Sequence, residues 1–266
     1  MSQVFFALNN QPIGIFDSGV GGLSIWQHIS LVLPIESTVY IADSANAPYG
    51  ELSKAEIISL SERCTERLIS LGAKIIVVAC NTATTNAIEE LRSSFKIPFV
   101  GIEPATKPAA INTKTGKIGI LATKGTLASE LFLNTSQQFR GSIEIIETVG
   151  TGLVQIVESG KFEQAKPLLK KYLSPMVEAG VDNIVLGCTH YPFLKDMMRE
   201  ILPDSIKIID SGYAAVQQTK FLIDNYNLRS EVSNKISHCI LSTGSLETLN
   251  NITSLLGNVD FRVEVF

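Results

Sequence analysis

The chain has 266 residues, 45% of them apolar and 18% charged, with a formal net charge of -4 and a pI near 5.5. Such a composition folds rather than staying disordered, and the length allows two domains or one large α/β domain. No block of like charge recruits nucleic acid or an anionic membrane surface, and no apolar run reaches the roughly 18 residues of a membrane helix.

The apolar patch in "MSQVFFALNN" has no basic region before it and no cleavage site after it, so a cytoplasmic protein is expected. Cys64, Cys80, Cys188 and Cys239 are widely spaced, without a CxxC pair, and are expected as free thiols rather than as a disulfide framework or a zinc site. No metal is called for.

Along the chain, short Ile/Val runs alternate with helical patterns: "PIGIFD", "LSIWQHISLVL", "STVYIAD", "KAEIISLSERCTERLISLG", "KIIVVAC" and "TATTNAIEELRSSF". Continuous apolar strands between amphipathic helices predict parallel sheets covered on both faces. The alternation continues through "IPFVGI", "KIGILAT", "IEIIET", "NIVLGC" and "IKIID". Roughly nine to eleven strands are expected, more than one compact sheet usually needs. The C-terminal "SHCILSTGSLETLNNITSLL" and "FRVEVF" read as further strand and helix material packed back onto the first half.

The sequence also resembles itself. "IGIFDSGVGGLS" matches "IGILATKGTLAS" 105 positions later, from Ile13 to Ile118, and "KIIVVACNTATT" matches "NIVLGCTHYPFL" with Cys80 and Cys188 108 positions apart. Two marks at nearly one offset predict two halves of similar architecture.

Ligands of parallel α/β sheets bind beyond the carboxyl ends of strands. At those ends stand Asp17 and Ser18, Asp43 and Ser44, Cys80 with Asn81 and Thr82, Thr123, Cys188 with Thr189 and His190, and Asp210 with Ser211. The glycine run "DSGVGGLS" has no Walker lysine, and Ser24 stands where a dinucleotide fingerprint needs its third glycine. A carboxylate-binding or simple tight turn is what remains.

Cys80 and Cys188 each precede a helical pattern, where a helix N-terminus lowers a thiol pKa from its reference of about 8.5. One such thiol suggests a nucleophile. Two from matched halves suit inversion at a stereocentre, one removing a proton and the other returning one to the opposite face. A two-lobed binder with incidental thiols and a single-thiol hydrolase stay open on these residues. Cys64, Cys239, His28 and His238 fall within or beside helix and strand patterns and are expected to be structural.

Six segments in order, "IGIFDSGVGGLS", "IADSANAPYG", "VVACNTATT", "GIEPATKPA", "LATKGT" and "LGCTHYPFL", resemble the successive motifs of bacterial glutamate racemases, from Gly14 to about Ser211. The resemblance implies two pseudo-symmetric three-layer α/β/α domains with mostly parallel sheets and a site in the cleft between them. The first domain is expected at 1–98 plus 210–266, carrying Cys80, and the second at 99–209, carrying Cys188. It further implies a cofactor-independent enzyme interconverting L- and D-glutamate, D-glutamate for peptidoglycan, and a homodimer.

By the same resemblance Cys80 acts on the D-enantiomer with Asp17 assisting, and Cys188 acts on the L-enantiomer with His190 assisting. Glu158 stands near the histidine. Asp17, Ser18, Tyr49, Gly50, Asn81, Thr82, Thr123, Thr189 and His190 hold the ligand. The chain departs from the family where an Arg and an aromatic residue commonly precede Pro-Tyr-Gly, having Asn46 and Ala47 instead. Aspartate or another small carboxylate is the nearest alternative substrate.

Overall fold

The Ile/Val runs become strands with few exposed side chains, as parallel sheets between helices require. The computed structural model describes residues 11–231, 236–245, 249, 252–253, 256 and 260–266. The first sheet's elements begin with β1 (Ile13–Asp17), α1 (Leu23–Val32), β2 (Thr38–Ala42), α2 (Lys54–Ser70), β3 (Ile75–Val78), α3 (Asn81–Ser94) and β4 (Phe99–Gly101). There follow α4 (Thr106–Asn112), β5 (Lys117–Ala122), α5 (Lys124–Leu127), α6 (Glu130–Gln137), β6 (Glu144–Val149), α7 (Leu153–Glu158), α8 (Ala165–Ala179), β7 (Asn183–Gly187), α9 (Lys195–Ile201) and β8 (Lys207–Ile209). The chain then returns through α10 (Gly212–Asn225), β9 (His238–Ser242) and β10 (Arg262–Val265). The helix expected from "SLETLNNITSLL", like the apolar patch at residues 4–8, lies largely or wholly outside the described residues.

Two all-parallel sheets result, in the orders β10-β9-β2-β1-β3-β4 and β6-β5-β7-β8. The block β2-β1-β3-β4 repeats as β6-β5-β7-β8, so the internal sequence match is a match of strand order. In each block the order reverses beside the first strand, and that switch point opens a crevice at the carboxyl ends. Asp17 and Cys80 flank the first crevice; Thr123 and Cys188 flank the second.

One boundary differs from expectation. Phe99–Gly101 was expected to begin the second domain, but it pairs with β3, Ile76 opposite Phe99 and Val78 opposite Gly101, and closes the first sheet's edge. The chain therefore crosses between sheets after Gly101 and returns after Ile209. β9 pairs with β2, Val39 opposite Cys239, so the C-terminal stretch extends the first sheet.

Alternation of side chains sorts the core into layers. Ile13, Ile15, Ile75 and Val77 pack with Trp26 and Ile29 of α1 and Val216 of α10, while Phe16, Ile76 and Val78 pack with Leu68 of α2 and Leu91 of α3. In the second sheet Leu121, Ile184 and Leu186 meet Val157 and Leu173, and Ile120 and Val185 meet Ala109 and Phe132. Each such buried aliphatic or aromatic side chain contributes about 1.5–3 kcal/mol. α2 starts on a reciprocal cap between Ser53 and Glu56, and α8 stops on Gly180, whose φ of 81° suits glycine. No described helix is long and apolar enough to cross a membrane.

Candidate active site between the two sheets

Cys80 ends the β3 run and caps α3: its Sγ accepts from the Ala83 backbone N–H at 3.4 Å and its thiol donates to the Ser18 hydroxyl at 3.5 Å. Burial pushes the thiol up to about 12, Asp17's charge adds to the rise, and the Ala83 and Ser18 hydrogen bonds oppose it. Asp17, wholly buried at the end of β1, accepts from the Gly19 backbone N–H at 2.8 Å, the Ser18 hydroxyl at 3.2 Å and, across the cleft, the Thr189 hydroxyl at 2.6 Å. Burial raises its carboxyl to about 6 against the pull of His190 and Thr189.

Cys188 is placed differently from expectation. It follows β7 into a bend, and the next helical turn, a 3-10 turn over Tyr191–Leu194 with a proline in its first positions, starts three residues later. The helix N-terminus serving Cys80 therefore has no counterpart here; the neighbour of Cys188 is His190, with Sγ 3.7 Å from Nδ1. Nε2 of the same ring lies 2.5 Å from Oε1 of Glu158. Burial alone would lower His190, but its hydrogen bonds to Cys188 and Glu158, and their charges, hold it well above the ordinary histidine value.

The glycine run belongs to this second cluster. Glu158 accepts from the Val20 backbone N–H at 2.8 Å and from the Ser44 hydroxyl at 3.1 Å. The turn does bind a carboxylate, and that carboxylate is the chain's own. A Cβ on Gly19 would fall 1.8 Å from Glu158 Oε1, and one on Gly21 would fall 2.4 Å from His190 Nδ1.

A narrow cavity of about 10 Å³ lies between the two thiols' elements, lined by Ser18, Tyr49, Gly50, Cys80, Asn81, Thr82, Thr123, Cys188, Thr189 and His190, together with Pro48 and Val154. Asp17 and Glu158 touch lining residues from behind. Thr82 and Thr123 share a hydroxyl hydrogen bond at 2.8 Å across the cleft, and Asn81 donates to the Ile102 carbonyl at 3.0 Å. An outer groove of about 270 Å³ shares Pro48, Gly50, Thr123 and Val154 with the cavity and forms its mouth.

Asp210 and Ser211 stay outside: Asp210 pairs with Lys195 and accepts from the Gly212 N–H, and Ser211 donates to the Glu103 carbonyl. Cys64 and Cys239 are buried in the first sheet's core, and His238 meets Thr38 and the edge of Trp26. Sequence reasoning missed Val154, an apolar residue one helical turn before Glu158 with no chemical signal of its own. It also missed Pro48, although that residue stands inside the quoted "APYG".

The model of the Asp/Glu/hydantoin racemase family matches residues 27–219. A glutamate racemase from Ectopseudomonas mendocina is 42% identical over 261 residues, covering 96% of this chain and 98% of its own. A glutamate racemase isoform from Bacillus anthracis superposes with a TM-score of 0.86 at 29% identity, over 97% of this chain and 98% of that one. Escherichia coli glutamate racemase, solved in complex with L-glutamate and an activator, UDP-MurNAc-Ala, gives 0.85 at 30% identity, over 96% and 98%.

Proposed function

The chain belongs to the Asp/Glu/hydantoin racemase family, and from that membership we propose that it is a glutamate racemase working through two cysteines without a cofactor. The observation carrying this reading is that Cys80 and Cys188, from corresponding strands of the two sheets, line one cavity.

The helpers of the two thiols carry opposite charge. Asp17 beside Cys80 disfavours a second negative charge there, so Cys80 rests as the thiol. His190, held well above the ordinary histidine value by its contacts with Cys188 and Glu158, places an imidazolium 3.7 Å from the Cys188 sulfur. This resting form suits L-glutamate: Cys188 takes the α-proton and Cys80 delivers its own to the opposite face. Turnover of D-glutamate runs through the reverse protonation state.

The second amide hydrogen of Asn81 and the Thr82 hydroxyl, joined by the Ser18 and Thr189 hydroxyls when these turn from Asp17, supply donors to the substrate carboxylates. Exclusion of water strengthens those bonds as carbanion charge develops. The product D-glutamate supplies peptidoglycan. A cytoplasmic homodimer belongs to the same proposal.

Incubating L-glutamate with the protein in deuterium oxide is expected to bring the circular dichroism signal to zero, with deuterium entering the α-position. Cys80→Ala and Cys188→Ala should each slow racemisation by on the order of 10³-fold, as loss of an essential acid or base does, while keeping proton exchange on one enantiomer. L-aspartate, run in parallel, should turn over far more slowly. An unchanged signal without deuterium uptake removes the proposal; near wild-type rates in both variants remove the two-thiol mechanism.

A further inference from the structure

Asp43 follows β2, outside the cavity lining, yet its carboxylate is wholly buried and collects donors from four residues. Asn46 Nδ2 reaches both oxygens at 3.0 Å, the Tyr49 hydroxyl reaches Oδ2 at 2.6 Å, and the Thr243 hydroxyl reaches Oδ1 at 2.9 Å. Arg63 of α2 adds an ion pair at 3.2 Å, its guanidinium lying 6.0 Å from the Phe266 ring centre. A buried carboxylate survives only with such a set of donors, so its position is fixed by three separate elements and the loop they surround.

Through that loop the carboxylate meets the site. Tyr49 is 1% exposed, its hydroxyl is spent on Asp43, and Pro48, Tyr49 and Gly50 form one wall of the cavity. Asn46, one of the two residues by which this chain departs from the racemase motif, is one of the donors.

We propose that Asp43 is a positioning residue for the substrate wall: it holds Tyr49, and through it Pro48 and Gly50, at the place where the ligand lies. The proposal rests on the glutamate racemase reading. A wall residue holds substrate and transition state alike, so its loss shows in KM and leaves proton transfer intact.

The test compares Asp43→Asn, Tyr49→Phe and the double variant in both directions of racemisation. Each single change is expected to raise KM for both enantiomers about tenfold, with kcat within about threefold, as for loss of one charge-assisted hydrogen bond. The double variant is expected to be no worse than the poorer single, because both cut one link. Thr243→Val, a gentler loss of one donor, should raise KM about threefold and decides the matter if Asp43→Asn does not fold. Unchanged KM in the folded variants, or effects of Asp43→Asn and Tyr49→Phe that multiply, overturn the positioning role while wild-type activity leaves the functional reading standing. A wild type inactive on glutamate overturns the functional reading, and this one with it.

Discussion

Asp17 is a carboxylate the fold would keep more cheaply as an acid. Its native value of about 6 against 3.8 in the unfolded chain means that the folded state binds a proton more tightly. Stability attributable to this group is therefore highest below about pH 4, falls as pH rises toward 6, and stays reduced by about 3 kcal/mol above that. Asparagine nearly preserves the shape, still accepts from Gly19, and can donate to the Thr189 hydroxyl. Asp17→Asn is thus expected to gain melting temperature relative to wild type at pH 8 and to lose that gain at pH 4. The same change should lower kcat/KM on the order of 10²-fold and abolish the wild-type acid limb near pH 6. A stability difference that does not vary with pH contradicts the buried-charge account; an acid limb that persists in the variant removes Asp17 from the chemistry. Because enantiomers have equal energy, kcat/KM must change equally in both directions, which guards the kinetic comparison.

The turn between β1 and α1 shows where sequence reading stops. Its glycines suggested a carboxylate-binding or plain tight turn, but Gly19 and Gly21 do not adopt positive φ. They are small because Glu158 and His190 arrive from the other sheet, in the case of Glu158 from 138 residues away along the chain. No local pattern encodes that approach. The helix after Cys80 was legible, since "NAIEELRSS" has helical periodicity and no breaker. Its supposed twin after Cys188 was not, since Pro192 and a short 3-10 turn intervene. The likeness of the two halves was legible through the internal repeat, whereas the strand order and the sheet that β4 joins were not, because pairing partners are a tertiary property. A methyl group at Gly21 has no room beside His190 Nδ1, so Gly21→Ala is expected to displace the ring from Cys188 and cut kcat on the order of 10²-fold, with a far-UV spectrum like wild type's. Wild-type kcat in that variant separates the glycine turn from the chemistry.

At the scale of the molecule, the two sheets are joined by more than their two crossings. Thr189 to Asp17 at 2.6 Å, Val20 to Glu158 at 2.8 Å and Asn86 to the Gly125 carbonyl at 3.2 Å all span the halves, and Ser211 ties one crossing to the other through Glu103. One apolar cluster runs from Ile13 and Trp26 in the first half through Val20, Leu153 and Val157 to Leu186 and Met198 in the second. Unfolding either half alone would strip that cluster and leave Asp17 or Glu158 without the partners that offset its burial. The cleft must open to admit substrate, but the halves have no separate cores on their facing sides, so opening and unfolding are different events. Calorimetry is therefore expected to give one transition with calorimetric and van't Hoff enthalpies equal. Saturating L-glutamate should move that single transition upward as a whole, by about 2.7 kcal/mol of stability at 100 times Kd, since ligand held by both walls stabilises both halves. Two resolved transitions, or a ligand shift confined to part of the heat, would mean that the halves are coupled only through the crossings.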